Sequence, residues 1–404
     1  MRRSGVRGWR ETTLGAVLGP GGLQTGPFGT QLRAAEYEPG GVPVVLPRDL
    51  ADGAIHHDGA AAVSETKART LDRYRLETGD LVLARRGEVG RCALVREDQA
   101  GWLCGTGCMR LRLGPEVESR FLVQYLRWRR TLDWFADRAV GQTMANLNGR
   151  IVRALPLRLP ERAHQRKLAD AFESIDGSLV LRSTLQQQEE ALMELALGRL
   201  LGPEDRGPTS VDLPEGWRWA RLHELCRLIN GHRFQSSQWS DSGLPILRIQ
   251  NLNGSTQFKL FAGYAKDDWI VRPGDLLFAW AGSKGSLGPT LWRGPRGVLN
   301  QHIFRVEPKP EIDRDWLYQA LRQLARRMAR RAHGFKSTLQ HLRKSDLANQ
   351  RIAVPPAAEQ RRIAVWSRRQ EEQRRARSEA SATLRRLKET MLDDLLGPTS
   401  LGER

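Results

Sequence analysis

Cysteine is scarce in this chain, with four in 404 residues. So few cannot form the disulfide framework of a secreted domain, and the reducing cytoplasm is the expected compartment. No apolar run approaches the roughly 20 residues a bilayer-spanning helix needs, so a membrane protein is not expected. Arg2-Arg3-Ser4-Gly5-Val6-Arg7 leads into no apolar stretch, which argues against a secretory signal. Acidic residues are also in deficit: 46 Asp and Glu face 64 Lys and Arg, leaving a formal charge of +18. At 40% hydrophobic and 27% charged, the composition is that of a folded protein long enough for two or three domains. A cationic surplus of this size on a folded body points first to a polyanion, most simply nucleic acid.

Catalytic motifs are missing as well. There is no G-x-x-x-x-G-K-[ST] phosphate loop, and Gly282-Ser283-Lys284-Gly285-Ser286 has the wrong spacing for one. The Gly-rich run from Gly19 to Gly29 lacks the strand-then-helix setting of a dinucleotide loop and reads as a plain loop. An amino-methyltransferase needs an Asn/Asp-Pro-Pro-aromatic turn, whereas Pro355-Pro356 follows Ala353-Val354. Asp58 with Glu65-Thr66-Lys67 has the residue types of a nuclease site but no supporting pattern. Cys104 and Cys108, with Cys92 and His56-His57, do not have the spacing of a zinc ribbon or finger, and ordinary buried cysteines are the better reading. No catalytic or metal-binding residue is assigned. Most of the 12 tryptophans are expected in cores, although Trp239 or Trp280 could touch a base or sugar.

What the chain does have is itself, twice. Gln165-Arg166-Lys167-Leu168-Ala169 matches Gln360-Arg361-Arg362-Ile363-Ala364, and Leu200-Leu201-Gly202-Pro203 matches Leu395-Leu396-Gly397-Pro398, both at a shift of 195 residues. Gly79-Asp80-Leu81-Val82-Leu83-Ala84 lines up with Gly274-Asp275-Leu276-Leu277-Phe278-Ala279 at the same shift. Nearer the start the shift widens, to 202 at Gly41/Gly243 and 208 at Gly8/Gly216, so the first copy carries 13 extra residues in its front part, expected in surface loops.

Each copy has a Gly-, Pro- and Trp-rich globular part followed by a long polar segment. Short apolar runs such as Val42–Val45, Leu81–Ala84, Leu244–Ile249 and Leu276–Ala279 read as strands. One amphipathic helix per copy is expected, near Ser119–Phe135 and Asp315–Ala332. The basic face Arg322, Arg326, Arg327, Arg330 and Arg331 reads more readily as solvated than as a phosphate clamp. From about Glu161 to Leu201, and from Ala357 to Leu396, proline is absent and apolar residues recur at helical spacing. A lone helix cannot bury such a stripe, and the other copy's helix is the obvious partner. The polar stretches Gln186–Glu190 and Gln370–Arg377 face each other only if the helices run antiparallel. The expected fold class is therefore α+β: two mixed, β-rich domains joined by two long helices in an antiparallel coiled coil with a pseudo-twofold axis. The expected boundaries are 1–158, 159–203, 204–353 and 354–404, with a linker at Gly202–Pro208.

A body with twofold symmetry can set two heads on two half-sites of one duplex, and heads of different sequence would read an asymmetric, interrupted target. At this point the residues carry a family resemblance. Pro355-Pro356-Ala357-Ala358-Glu359-Gln360-Arg361-Arg362-Ile363-Ala364 resembles the opening of the helical region in the specificity subunit of type I restriction-modification systems. It recurs in degenerate form at Leu159–Ala169, with Glu161 in place of the second proline and His164 in place of the Glu. Leu213-Pro214-Glu215-Gly216-Trp217 resembles the start of a target-recognition domain, and Thr25-Gly26-Pro27-Phe28-Gly29-Thr30 and Leu299-Asn300-Gln301-His302 are also similar to the family. The first copy has Cys104-Gly105-Thr106-Gly107-Cys108 where the second has its Asn-Gln-His run.

The resemblance implies a non-catalytic subunit that selects double-stranded DNA for an adenine methyltransferase, usually present in two copies. A restriction/translocase subunit can join them. S-adenosylmethionine and ATP would then sit on the partners, with no cofactor in this chain. Phage-defence systems of other types use similar subunits. A structural scaffold that only joins other subunits, or an enzyme with an unrecognised site, are the competing classes. Within the globular parts the chosen DNA-binding candidates are polar residues of expected loops: Lys67, Arg69, Arg85 and Arg86 in the first copy, and Arg233, Lys259, Lys284, Lys336, Ser337 and Thr338 in the second.

Overall fold

The computed structural model describes residues 8–59, 61–140, 145–202, 212–282, 287–331, 340–341 and 344–397. Contacts divide the chain into two compact units, Met1–Ser183 with Glu379–Arg404, and Thr184–Ser378. Both long helices are continuous, Arg162–Leu200 and Ala357–Leu396, and each contributes one half to each unit. Of the linker Gly202–Pro208, Pro203 onward lies outside the described residues.

In the first unit an antiparallel sheet has the order Leu18–Thr25, Cys108–Leu113, Leu81–Ala84, Cys92–Leu94. All four residues of Leu81–Ala84 are buried, as expected for a continuous apolar run at the centre of a sheet. Val42–Val45 lies in a smaller sheet, parallel to Leu103–Cys104, and Arg10–Thr13 pairs with Pro156–Leu159 just before the first long helix.

The second unit repeats this. Cys226–Asn230, Ile303–Pro308, Leu276–Ala279 and Gly288–Leu291 form its antiparallel sheet. Leu244–Leu247 runs parallel to Gly297–Leu299, and Arg218–Arg221 pairs with Arg351–Val354. The turn into each central strand is built alike. Gly79 and Gly274 take positive φ, at 89° and 95°. The following Asp80 and Asp275 carboxylates each accept a hydrogen bond at 2.8 Å, from the N–H groups of Glu77 and Arg272.

Four sequence expectations need correction. The Gly19–Gly22 run is not a loop. It lies within the strand Leu18–Thr25 and bulges out of register between Leu111 and Leu113 of the neighbour. Gly21 adopts φ 62° there, a conformation glycine reaches without penalty. The bulge absorbs three of the extra residues of the first copy, so they fall inside a sheet and not in a surface loop. The first amphipathic helix is two, Ser119–Arg127 and Arg129–Arg138. Trp128 between them is extended, at φ −61° and ψ 136°, which buries its indole while Nε1 donates to Asp393 at 2.9 Å. The second copy keeps one helix, Arg314–Arg331. Its basic face is not simply solvated. Arg327 is buried and reaches the Arg351 carbonyl oxygen (3.4 Å), and Arg326 pairs with Glu194 (2.7 Å). Finally, the strand from Leu244 stops at Leu247, and Ile249–Leu252 is a helical turn.

The repeated Gln-Arg-Lys/Arg motif has a structural meaning. Gln165 is almost fully buried; its side-chain oxygen accepts from the Glu118 N–H (2.9 Å), and its amide donates to the carbonyl oxygens of Glu116 (3.2 Å) and Pro160 (2.9 Å). Gln360 does the same 195 residues later, accepting from the Asp313 N–H (2.9 Å) and donating to the Pro355 carbonyl oxygen (3.0 Å). Each glutamine ties the start of a long helix to the start of its amphipathic helix, where N–H groups would otherwise lack partners. The departure at His164 is also explained. Trp217 Nε1 donates to Glu359 (3.1 Å), whereas Trp9 meets the His164 ring edge-on at 6.1 Å.

Opposite ends of the two helices meet within each unit, so they pair antiparallel. In the first unit Leu168, Ala169 and Phe172 share a core with Leu392 and Leu396. In the second, Ile363 and Ala364 share one with Leu197 and Leu201. Full burial of each such leucine, isoleucine or phenylalanine is worth about 1.5–3 kcal/mol. The polar stretches meet as expected: Arg377 pairs with Glu189, and Arg374 with Glu190 (3.7 Å).

The first unit adds a buried polar cluster. Lys388 Nζ donates to Asp176 (2.6 Å) and to Gln124 Oε1 (2.8 Å), and Arg127 also donates to Asp176 (2.7 Å). Burial works to raise the Asp176 pKa, but Lys388 and Arg127 outweigh it and hold the carboxyl below its ordinary value. At the equivalent positions the second unit has Gln319, Arg322 and Glu371, but Met193 stands where Lys388 would be.

Candidate nucleic-acid interface

The sequence candidates separate when placed in the structure. Lys67 sits on the short helix Glu65–Thr70 and is bound to Glu36 at 2.7 Å. Arg69 is well exposed beside Glu65 (3.7 Å). Glu65 also pairs with Arg75 (3.0 Å), so the acid-lysine group considered for a nuclease is engaged in ion pairs. Lys259 is exposed, with its ammonium 5.2 Å from the Trp239 ring centre. Lys284, Lys336, Ser337 and Thr338 lie outside the described residues.

Arg85 and Arg86 in the first unit, and Arg233 in the second, lie at equivalent corners of the repeated scaffold. In the first unit Gly26 ends the strand from Leu18 and passes tightly over the Cys104-Gly105-Thr106 tip. A Cβ on Gly26 would run into the Gly105 carbonyl, so only glycine fits. Thr106 Oγ1 donates to the Pro27 carbonyl oxygen (3.0 Å), fixing the loop that carries Phe28. Arg85 directly follows the central strand, is 9% exposed, donates to Asn146 Oδ1 (3.2 Å) and places its guanidinium 5.6 Å from the Phe28 ring centre. Burial, with Arg86 next to it, pulls the Arg85 pKa below its ordinary value. Phe28 is 58% exposed and Arg86 is exposed.

In the second unit Gly231 ends the strand from Cys226 and passes over the Leu299-Asn300-Gln301 tip, again with no room for a Cβ beside the Asn300 carbonyl. Its N–H donates to the Ile303 carbonyl oxygen, as that of Gly26 does to Cys108. His232 follows and stacks on Trp269, with ring centres 4.1 Å apart, and then comes the exposed Arg233. Trp280 follows the central strand, donates Nε1 to the Gln301 carbonyl oxygen (3.1 Å) and meets His302 at 5.3 Å.

The four cysteines are free and buried. Burial raises the thiol pKa values of Cys92, Cys104 and Cys226 to about 12, which removes thiolate character at neutral pH. Among the described residues no group of three or more His, Cys, Asp or Glu is arranged to hold a metal ion, and no helix is long and apolar enough to cross a membrane.

Residues 28–190 and 214–365, most of the chain, match the family described as the type I restriction modification DNA specificity domain. The chain belongs to that specificity family. The EcoBI specificity subunit of an Escherichia coli type I restriction enzyme is 25% identical over 157 residues, 38% of this chain; the match spans 32% of that protein's own length. A putative type I restriction enzyme specificity subunit of Methanocaldococcus jannaschii, MjaX, is 21% identical over 349 residues, covering 80% of this chain and 79% of the relative. Two solved structures share the fold. One, from work on complex assembly and conformational transition of the type I R-M system, has a TM-score of 0.61 at 24% identity and covers 97% of this chain and 98% of that one. The other, a type I restriction-modification S subunit from M. genitalium, has a TM-score of 0.58 at 16% identity, covering 97% of each chain.

In this specificity-family chain the sequence pointed to arginines but missed the Phe28 and His232 loops as parts of the corner. The Gly26/Gly231 equivalence was the available signal. It hid behind a shift of 205, between the recognised 208 and 202.

Proposed function

We propose that this chain is a sequence-specific DNA-binding specificity subunit. It reads an asymmetric, bipartite site, one half per unit, and directs partner adenine methyltransferase and restriction subunits to it. Its own contribution is recognition: the bond-making chemistry, with S-adenosylmethionine and ATP, belongs to the partners. One observation carries this reading. The two units agree position by position in the scaffold, at Gly79/Gly274, Asp80/Asp275 and Gln165/Gln360, yet differ at the corner, where Pro27, Phe28, Arg85, Arg86 and Thr106 stand opposite His232, Arg233, Trp280, Ala281 and Gln301. A duplicated frame with unlike tips suits two different half-sites. The charge of +18 supplies phosphate attraction, and the tips supply base contacts.

Co-expression with a type I adenine methyltransferase subunit from the same host, followed by mapping of methylated adenines, tests the proposal. A single interrupted motif is expected. Exchanging the segment before Leu159 for that of a relative should alter one half of the motif and leave the other half and the spacer unchanged. Adenine methylation by the purified chain alone, or a motif altered in both halves, would refute it.

A further inference from the structure

The corner contains a reciprocity that the repeat alone does not reveal. Phe28 and Arg233 are equivalent, each two residues past its corner glycine, because Thr25 pairs with Met109 and Asn230 with Phe304 in matching registers. Arg85 and Trp280 are equivalent too. Each is the first residue after the central strand, and their N–H groups donate to the carbonyl oxygens of Gly107 and His302, residues 195 apart. Both units therefore hold one aromatic and one arginine at the same two positions, in opposite order. In the first unit the aromatic lies on the loop position and is exposed, while the arginine is the buried member. In the second the arginine is exposed on the loop, and the tryptophan is half-buried and tied to the Gln301 carbonyl oxygen.

The exposed member in each case is carried on a loop fixed by a glycine that tolerates no side chain. Little conformational freedom remains for that backbone to lose on binding. Arg233 is exposed, and among the described residues no ion pair engages its guanidinium fork. A guanidinium fork matches the O6/N7 edge of guanine, and an apolar side chain such as Phe matches the thymine methyl group in the major groove.

We infer that the loop position is the base-reading position of each unit, with Arg233 contacting a guanine in one half-site and Phe28 contacting a thymine methyl in the other. Arg85, whose guanidinium faces the Phe28 ring, positions the first loop, and Trp280 braces the Gln301 tip over which Gly231 passes. This rests on the function proposed above.

The test uses the full chain with its methyltransferase, reading motifs from host genomic DNA for wild type, R233A, R233K and F28A. Preserved circular dichroism and melting confirm that each variant is folded. R233A is expected to relax discrimination at one guanine by roughly ten- to a hundredfold. R233K should relax it as well, because an ammonium keeps the charge but not the fork. F28A is expected to relax one thymine in the opposite half. If R233K keeps the complete motif while R233A merely lowers methylation everywhere, Arg233 is a phosphate contact and the inference is overturned. It is equally overturned if R233A and F28A blur the same half, or if either leaves every position intact. A wild-type chain that yields no interrupted motif refutes the proposed function instead, and this inference with it.

Discussion

Asp176 is a polar residue whose loss should cost the first unit dearly. Its carboxylate accepts from Lys388, Arg127 and Gln124 at 2.6, 2.7 and 3.0 Å, and Lys388 is only 8% exposed. Asp176→Ala leaves two cations facing each other with one amide oxygen between them. Breaking a buried pair from one side costs about 3–5 kcal/mol. Lys388→Met differs, because Asp176 keeps Arg127 and Gln124. The second unit already places Met193 at the equivalent position, so the fold accommodates methionine there. A cost within about 1 kcal/mol is expected, since Asp176 still pairs with Arg127 and no buried charge is left without a partner. The double variant should be more stable than Asp176→Ala alone. Amide hydrogen exchange resolved to peptides from 162–183 and 379–397 reads the effect locally, and peptides of the second unit serve as control. Asp176→Ala should speed exchange there upward of about a hundredfold, and Lys388→Met by less than about tenfold. Equal effects of the two single variants would refute the reasoning, because the asymmetry follows directly from which charges keep a partner.

The same cluster sets a pH dependence. The folded Asp176 pKa lies below its ordinary value of 3.8, so its stabilisation is complete above 3.8 and is lost as pH falls through the lower folded value. Acid titration of the Asp176→Asn variant should lack that loss. Gln165→Leu and Gln360→Leu should each cost about 1–3 kcal/mol, since each strips a partner from buried backbone groups, and thermal melts of single and double variants would reveal it. Gly198→Ala has open space around its Cβ and a helical backbone, and should stabilise by up to about 1 kcal/mol. Gly202→Ala should destabilise, because φ is 76° and the new Cβ would stand 2.7 Å from the Trp217 ring. With their pKa values pushed up to about 12, Cys92, Cys104 and Cys226 should resist a thiol reagent at pH 8 in the native protein and react once denaturant exposes them.

Much of this architecture is legible from local rules. The second long helix spans Ala357–Leu396, the range its apolar spacing and lack of proline suggest, and Leu81–Ala84 and Leu276–Ala279 are strands as their length and flanking turns require. Helix and strand periodicities are properties of neighbouring residues, and an internal repeat can be counted without knowing the fold. Antiparallel pairing was also accessible, because Glu189 and Glu190 meet Arg377 and Arg374 only in that direction.

Tertiary structure decided what depends on residues far apart in sequence. The break at Trp128 has no proline or glycine to announce it; it comes from an indole reaching Asp393, more than 260 positions away. The glycine-rich run became a strand because a neighbouring strand could accommodate its bulge. Gln165 and Gln360 stood out in the sequence as repeated letters, and only the fold shows them as clasps on distant backbone. The corner is the clearest case. Phe28, Arg85 and Thr106 are scattered through the first copy, and insertions blur their counterparts in the second. Spacing along a chain records periodicity, whereas a surface assembled by strand crossing depends on register, and register is settled only when the sheet has formed.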